Sequence, residues 1–296
     1  MISIIICSRE PNIPQELREN VESTIGCEHE WIIVDNSRNQ YNIFQAYNEG
    51  VARSTGDILC FMHDDILFHT KNWGKIIECV FADNGRVGAI GVVGAHLVPD
   101  VPAPMWAFQR VSTYKLYSKT NPSYNEIVDS GKNDGDNGYW FGNQQFSQGK
   151  PFVQVANIDG LWMCFRHSLF DSIRWDDENY NGFHCYDADI SMQINKTGYD
   201  IVVTNEVLIE HASPGTLDQK YFNATETWYK KWKNHLPIVR GVSLTQRQLL
   251  ILSHYTFDAL ERQKELMEYR RLRNTHAYKM GSALLRPWRW LRKQLH

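Results

Sequence analysis

The chain has 296 residues, 43% hydrophobic and 22% charged. That is enough for a substantial core, and the globular balance excludes a low-complexity polymer. No apolar run reaches the roughly 18 residues of a membrane-spanning helix, and the start, MISIIICSREPN, lacks the basic segment and cleavage site of a signal peptide. The net charge of −3 hides an asymmetry: eight Lys and Arg and no acid follow Tyr269, so +8 there leaves −11 for the rest, and the end suits an anionic partner such as nucleic acid or lipid headgroups.

ISIIICS predicts a short buried first strand, and residues 13–25 a helix after the Pro11–Pro14 turn. EWIIVDNS is a second strand ending in Asp35, Asn36 and Ser37. A helix follows over 43–54, where Ile43, Ala46, Tyr47 and Val51 share one face. GDILCFMHDD is a third strand that ends in acids, 72–82 another helix, and VGAIGVVGAHLV a Gly/Val-rich strand. This β-α-β-α-β alternation predicts an α/β fold with a mainly parallel sheet and helices on its faces. In such sheets ligands bind beyond the carboxyl ends of the strands, where Ser8–Arg9, Asp35–Asn36 and Asp64–Asp65 all lie.

The pattern breaks over 99–150, where three prolines precede the polar GKNDGDNGYWFGNQQFSQGK. This reads as a long irregular insert, a lid or acceptor wall. VQVANIDGLWMCFRHSLF restores a strand leading to a turn or helix, 186–197 predicts a helix, and YDIVVTNEVLIEHAS short strands. Helices are expected over 217–235 and 243–274. The expected division is a domain over 1–240, with a nucleotide-binding part at 1–98, the insert at 99–150 and a catalytic part at 151–240. A helical C-terminal region with a basic amphipathic tail follows over 241–296. The six cysteines show no CxxC pair and fit a reduced, cytoplasmic setting.

Several side chains carry potential chemistry. Asp64 and Asp65, taken alone, read first as a solvated turn. Two adjacent carboxylates at a strand end also suit Mn2+ or Mg2+, which want oxygen ligands. Asp189 is placed to cap the helix that starts near it. Asp187 divides evenly between structure and a general base beside an acceptor hydroxyl. His211 after an apolar strand reads first as structural, and as a metal ligand if a cation lies near. Gly160 after Asp159 permits close approach of a ligand, whereas Trp162 reads first as core.

The order SIIICSRE, WIIVDNS, AYNEGVARSTGDILCFMHDDI, DGLWMCFRHSLF, YDADISMQINKTGYDIVV, LIEHAS resembles glycosyltransferase family two over about residues 2–215, in the branch whose acidic motif reads His-Asp-Asp. The resemblance implies the GT-A fold: Rossmann-like, a mainly parallel twisted sheet with flanking helices, here with a C-terminal helical extension. It implies a nucleotide pocket at Ser8, Arg9, Asp35, Asn48, Gly50 and Asp64, with Asp35 on the donor base, most often uracil. It places the metal, Mn2+ or Mg2+, on Asp64, Asp65 and His211, and the catalytic base at Asp187. Asp159, Gly160 and Trp162 fall to the acceptor side. The implied activity is inverting transfer of a hexosyl or N-acetylhexosaminyl group from a UDP-sugar to a glycan or lipid-linked saccharide of the cell envelope. Two positions depart from the pattern: Met62 stands for the first acid of Asp-x-Asp, and Tyr186 for the Glu before the base.

In the tail, Met280, Leu284, Trp288, Leu291 and Leu295 share a helical face opposite Lys279, Arg286, Arg289 and Lys293. This fits peripheral contact at the inner face of a membrane, or packing on the protein itself. With no nucleic-acid motif and an acidic body, a nucleic-acid partner is not expected. Two other readings remain: a non-catalytic nucleotide- or glycan-binding domain, and a sugar-phosphate nucleotidyltransferase, which would want glycines after the first strand that Ser8–Pro11 lacks.

Overall fold

The computed structural model describes residues 1–103, 110–112, 114–116, 151–212 and 218–285. The rest of the expected insert, and the tail beyond 285 with Trp288, Leu291 and Leu295, lie outside the described residues.

The chain opens with β1 (Ile2–Ser8), α1 (Gln15–Thr24), β2 (His29–Asp35), α2 (Ile43–Arg53) and β3 (Ile58–Met62). Helix α2 starts at Asn42 because a reciprocal cap closes its first turn: the Asn42 side chain accepts the Gln45 N–H at 2.9 Å, and the Gln45 side chain accepts the Asn42 N–H at 3.1 Å. Next come β4 (Ile66–Phe68), α3 (Trp73–Asp83), β5 (Val87–Gly91), β6 (Val93–Ala95) and β7 (Leu97–Val98). The single strand expected over VGAIGVVGAHLV is thus three short ones that join three different sheets, since two changes of direction interrupt the run. Strands β8 (Arg110–Ser112) and β9 (Tyr114–Leu116) fall inside the expected insert. Then follow β10 (Phe152–Val155), β11 (Asn157–Ile158), β12 (Trp162–Arg166), α4 (Tyr186–Thr197), β13 (Asp200–Thr204), β14 (Ile209–His211), α5 (Gln219–Trp232), β15 (Ile238–Val239), α6 (Gln246–Asn274) and α7 (His276–Leu284).

The main sheet has the order β10-β13-β5-β12-β3-β1-β2. Strand β1 pairs in parallel with β2 and β3, and β5 with β13, while β12 and β10 run the other way. The expected mainly parallel, GT-A-like sheet is therefore present, with β12 reversed at its centre. Each strand sends alternate residues to opposite faces. Ile5, Leu59, Phe61, Met163 and Phe165 join a core with Phe44, Tyr47, Trp175 and Trp228. Ile4, Cys60, Met62, Trp162 and Cys164 join another with Leu17, Val21, Trp73 and Ile77. Both faces are thus covered by helices, as a parallel sheet requires. Gly50 lets α2 settle on β1, because a Cβ there would overlap the Ile5 side chain.

The chain forms two compact units, Met1–Thr256 and Phe257–His296. In the second, α7 is capped by Thr275, whose hydroxyl accepts the Tyr278 N–H at 3.3 Å. Tyr278, Met280, Leu284 and Leu285 are exposed there. No helix of the described residues is long and apolar enough to cross a membrane.

Candidate active site

Main-chain pairing assembles the site. Strands β1, β2 and β3 end together, with Ser8 level with Asp35. Because β12 runs antiparallel to β3, its first residue, Trp162, pairs with Met62, the last of β3. The His63 N–H then donates to the Leu161 carbonyl at 3.0 Å. Strand β14 runs antiparallel to β4 with His211 opposite Ile66, and the Ala212 N–H donates to the Asp65 carbonyl at 2.9 Å. The turn after β3, the start of β12 and the end of β14 thus meet at one edge.

Three side chains converge there. The His211 Nε2 lies 3.3 Å from the Asp65 carboxylate, and the His63 Nδ1 lies 3.4 Å from His211 Nε2 and 3.8 Å from Asp65. One donor atom from each falls within 4.8 Å of the other two. Burial, and then the neighbouring His211 imidazole, hold the His63 imidazole below its usual pKa. A neutral imidazole offers a lone pair, so two nitrogens and a carboxylate oxygen fit a divalent cation. Of the expected ligands, Asp65 and His211 lie in this group together with His63, and Asp64 lies 3.9 Å from the exposed Arg9 guanidinium.

Asp187 sits in the first turn of α4, after Cys185, whose φ of 62° is left-handed and turns the chain sharply into the helix. Its carboxylate accepts the Gly160 N–H at 3.1 Å and the Ala188 N–H at 2.8 Å. Burial, and then the neighbouring Asp159 carboxylate, push its pKa up to about 7. Asp159 is fixed by accepting the Leu161 N–H at 3.0 Å. A Cβ at Gly160 would overlap the Tyr186 hydroxyl, so this glycine makes room for a protein side chain.

The other expected site residues divide. Asp35 is exposed at the end of β2, its pKa lowered by the Ser37 N–H it accepts at 2.9 Å. Arg9 is exposed as well, whereas Ser8 is buried and its hydroxyl accepts the Glu10 N–H at 3.2 Å. Three others are engaged within the chain. The Asn48 amide donates to the Trp175 carbonyl at 2.8 Å and accepts the Trp175 N–H at 3.2 Å, so it anchors a loop. Gly50 is a helix–sheet contact. The Trp162 ring is fully buried beside Phe68 and Trp73. Met62 is likewise fully buried.

Sequence reasoning passed over Tyr186 as a partner of His63: the two meet at 2.8 Å between the hydroxyl and Nε2. It also passed over the group that docks α5. The buried Asp189 accepts hydrogen bonds from the Trp232 indole at 2.7 Å, the Tyr180 hydroxyl at 3.0 Å and the Lys231 ammonium at 2.7 Å; Lys231 also reaches Asp176 at 2.5 Å. Asp189 is therefore an ion-pair anchor and its side chain is not a helix cap. Only the spacing of Asp187 and Asp189 on α4 hinted that one acid faces the edge and the other the core.

The glycosyltransferase-like family matches the chain over residues 3–234. No curated protein sequence matches it. Among solved structures, GalNAc-T7 with UDP, GalNAc and Mn2+ aligns at a TM-score of 0.52 and 12% identity, over 96% of this chain and 56% of that one. This chain thus spans little more than half the length of that neighbour, and the likeness is one of fold. Two others align below a TM-score of 0.5. A197 from STIV aligns at 0.41, with 8% identity over 83% of this chain and 96% of that one. S. aureus TarS 1-349 aligns at 0.42, with 12% identity over 72% and 60%.

Proposed function

The chain belongs to the glycosyltransferase-like family, and from that premise we propose that it is a metal-dependent, inverting transferase that moves a sugar from a UDP-sugar to a hydroxyl of a glycan or lipid-linked saccharide. The observation that carries this reading is the convergence of His63, Asp65 and His211 at the carboxyl edge of the sheet, where open α/β sheets bind ligands. Two imidazoles and one carboxylate favour Mn2+ over Mg2+, which prefers an all-oxygen shell. A cation held there supplies positive charge to the leaving diphosphate.

The chain's own residues do the rest. Asp35, open at the end of β2, accepts from the donor base. Arg9 and Asp64 flank the diphosphate, the guanidinium by its charge and the carboxylate through water or the sugar. Asp187, held by the N–H groups of Gly160 and Ala188, takes the proton of the acceptor hydroxyl. The acceptor oxygen bonds to the anomeric carbon from the face opposite the diphosphate, and the bond to the diphosphate breaks with its electron pair leaving on oxygen. One displacement of this kind inverts the carbon. A pKa of about 7 suits a base that works near neutrality. Exposed Met280 and Leu284 beside Lys279 fit a membrane surface where a lipid-linked acceptor would reside.

A thermal-shift series of nucleotide-sugars with and without Mn2+ tests the reading. The expected result is stabilisation by a UDP-sugar only with the metal. A donor shift with no release of the sugar to any acceptor or to water would favour a non-catalytic binding domain.

A further inference from the structure

We propose that Tyr186 is a positioning residue for the metal site: its hydroxyl accepts the Nε2 proton of His63 and so fixes the tautomer that turns the Nδ1 lone pair toward Asp65 and His211. The inference rests on the reading of those three residues as cation ligands. It explains why a tyrosine stands directly before the base.

A neutral imidazole has one N–H and one lone pair, and the partner of one nitrogen decides the state of the other. His63 places Nδ1 within 3.4 Å of His211 Nε2 and Nε2 within 2.8 Å of the Tyr186 hydroxyl. With the proton on Nδ1 the site would hold two ligands and a blocked third. With the proton on Nε2 all three donors are open, and the ring is tethered at its far side. The hydroxyl is itself held firmly. The Tyr186 ring is buried against Phe44, Tyr47 and Trp175, with centroids 6.5, 5.7 and 6.2 Å away. Gly160 vacates the space where the hydroxyl lies. The same peptide, Asp159–Gly160–Leu161, therefore seats Tyr186, holds Asp187 and hydrogen-bonds the backbone of His63.

The test is calorimetric titration of the metal-stripped full chain with MnCl2. Tyr186→Phe keeps the ring and removes the oxygen. It should weaken Mn2+ binding about 10- to 100-fold, the usual loss for an outer-shell partner, while the melting temperature of the metal-free protein stays within a few degrees. An unchanged Mn2+ affinity in Tyr186→Phe, beside a parent that binds, overturns this inference and leaves the metal site standing. A parent that binds no Mn2+ removes the metal site and this inference together. Nitrogen-15 NMR of the metal-free parent beside Tyr186→Phe gives a readout that mere packing would not move: the parent's His63 should show the proton on Nε2 and the variant should lose that preference, and a proton on Nδ1 in the parent overturns the proposal.

Discussion

The carboxylate of Asp159 opposes the ionisation of Asp187. The two acids flank Gly160, whose N–H donates to Asp187, and Asp159 is the second cause, after burial, of a pKa raised to about 7. A base must be ionised to accept a proton, so kcat/KM should fall about tenfold per pH unit below roughly pH 7. Asp159→Asn removes the repulsion and should move this acid limb to lower pH. A pH–rate profile that keeps its limb in place would detach Asp159 from the base. Asp187→Asn should lower kcat by about 10²- to 10⁴-fold at every pH.

The same shift sets a stability window. In the unfolded chain Asp187 ionises near the ordinary Asp value of about 3.9. Between there and about pH 7 the folded state holds the extra proton, so the contribution of this group to stability falls as pH rises through that window. Asp187→Asn should therefore exceed the parent in stability at pH 8 by on the order of 2 kcal/mol and lose that advantage by pH 4. Urea unfolding of both proteins at the two pH values is the comparison, and an advantage that grows toward acid would reverse the sign.

Removal of metal separates two neighbouring acids. Stripping with EDTA should abolish transfer, and Mn2+ should restore it. Asp65→Ala and His211→Ala should each weaken Mn2+ binding by an order of magnitude or more in calorimetry, since each removes a ligand. Asp64→Ala should leave Mn2+ affinity in the absence of donor close to that of the parent and raise KM for the donor. Equal metal losses in all three variants would restore Asp64 to the ligand set.

Gly50→Ala addresses packing against binding. The added methyl collides with Ile5 in the core under α2. It should cost about 1–3 kcal/mol of stability and leave donor KM unchanged at temperatures where the variant is folded. A raised KM with an unchanged melting temperature would return Gly50 to the nucleotide pocket.

Lys231→Met leaves the Asp189 carboxylate buried without its cation. Breaking such a pair costs about 3–5 kcal/mol, although the indole of Trp232 and the hydroxyl of Tyr180 remain as donors. The loss should appear as a lowered denaturant midpoint. Lys231→Met combined with Asp189→Leu should recover part of it, because the unpaired charge is gone.

The sheet was legible because its signals are local: Ile2–Ser8, His29–Asp35 and Ile58–Met62 are apolar runs that end in polar groups, and α4 was read at its observed bounds, Tyr186–Thr197. Of the three grouped side chains, Asp65 and His211 were readable from order along the chain. His63 was not, because its role depends on which of three consecutive polar residues faces His211, and the turn after β3 decides that. Asn48, Gly50 and Trp162 sit at positions that could line a pocket, but a pattern along the chain carries no depth. Asn48 is consumed by the Trp175 backbone and Trp162 by its aromatic neighbours. The docking of Lys231 onto Asp189 spans 42 residues, and no local spacing announces it.

The reversal of β12 has a consequence for motion. The proposed cation group grows from the end of β3 and the seat of the proposed base from the start of β12, and these two strands are neighbours joined by a ladder from Trp162–Met62 to Arg166–Ile58. The separation between these two halves of the proposed site is therefore set by main-chain hydrogen bonds deep in the sheet. Thermal breathing that pulls them apart must break that ladder, so amide exchange along it should proceed only through openings close to global unfolding.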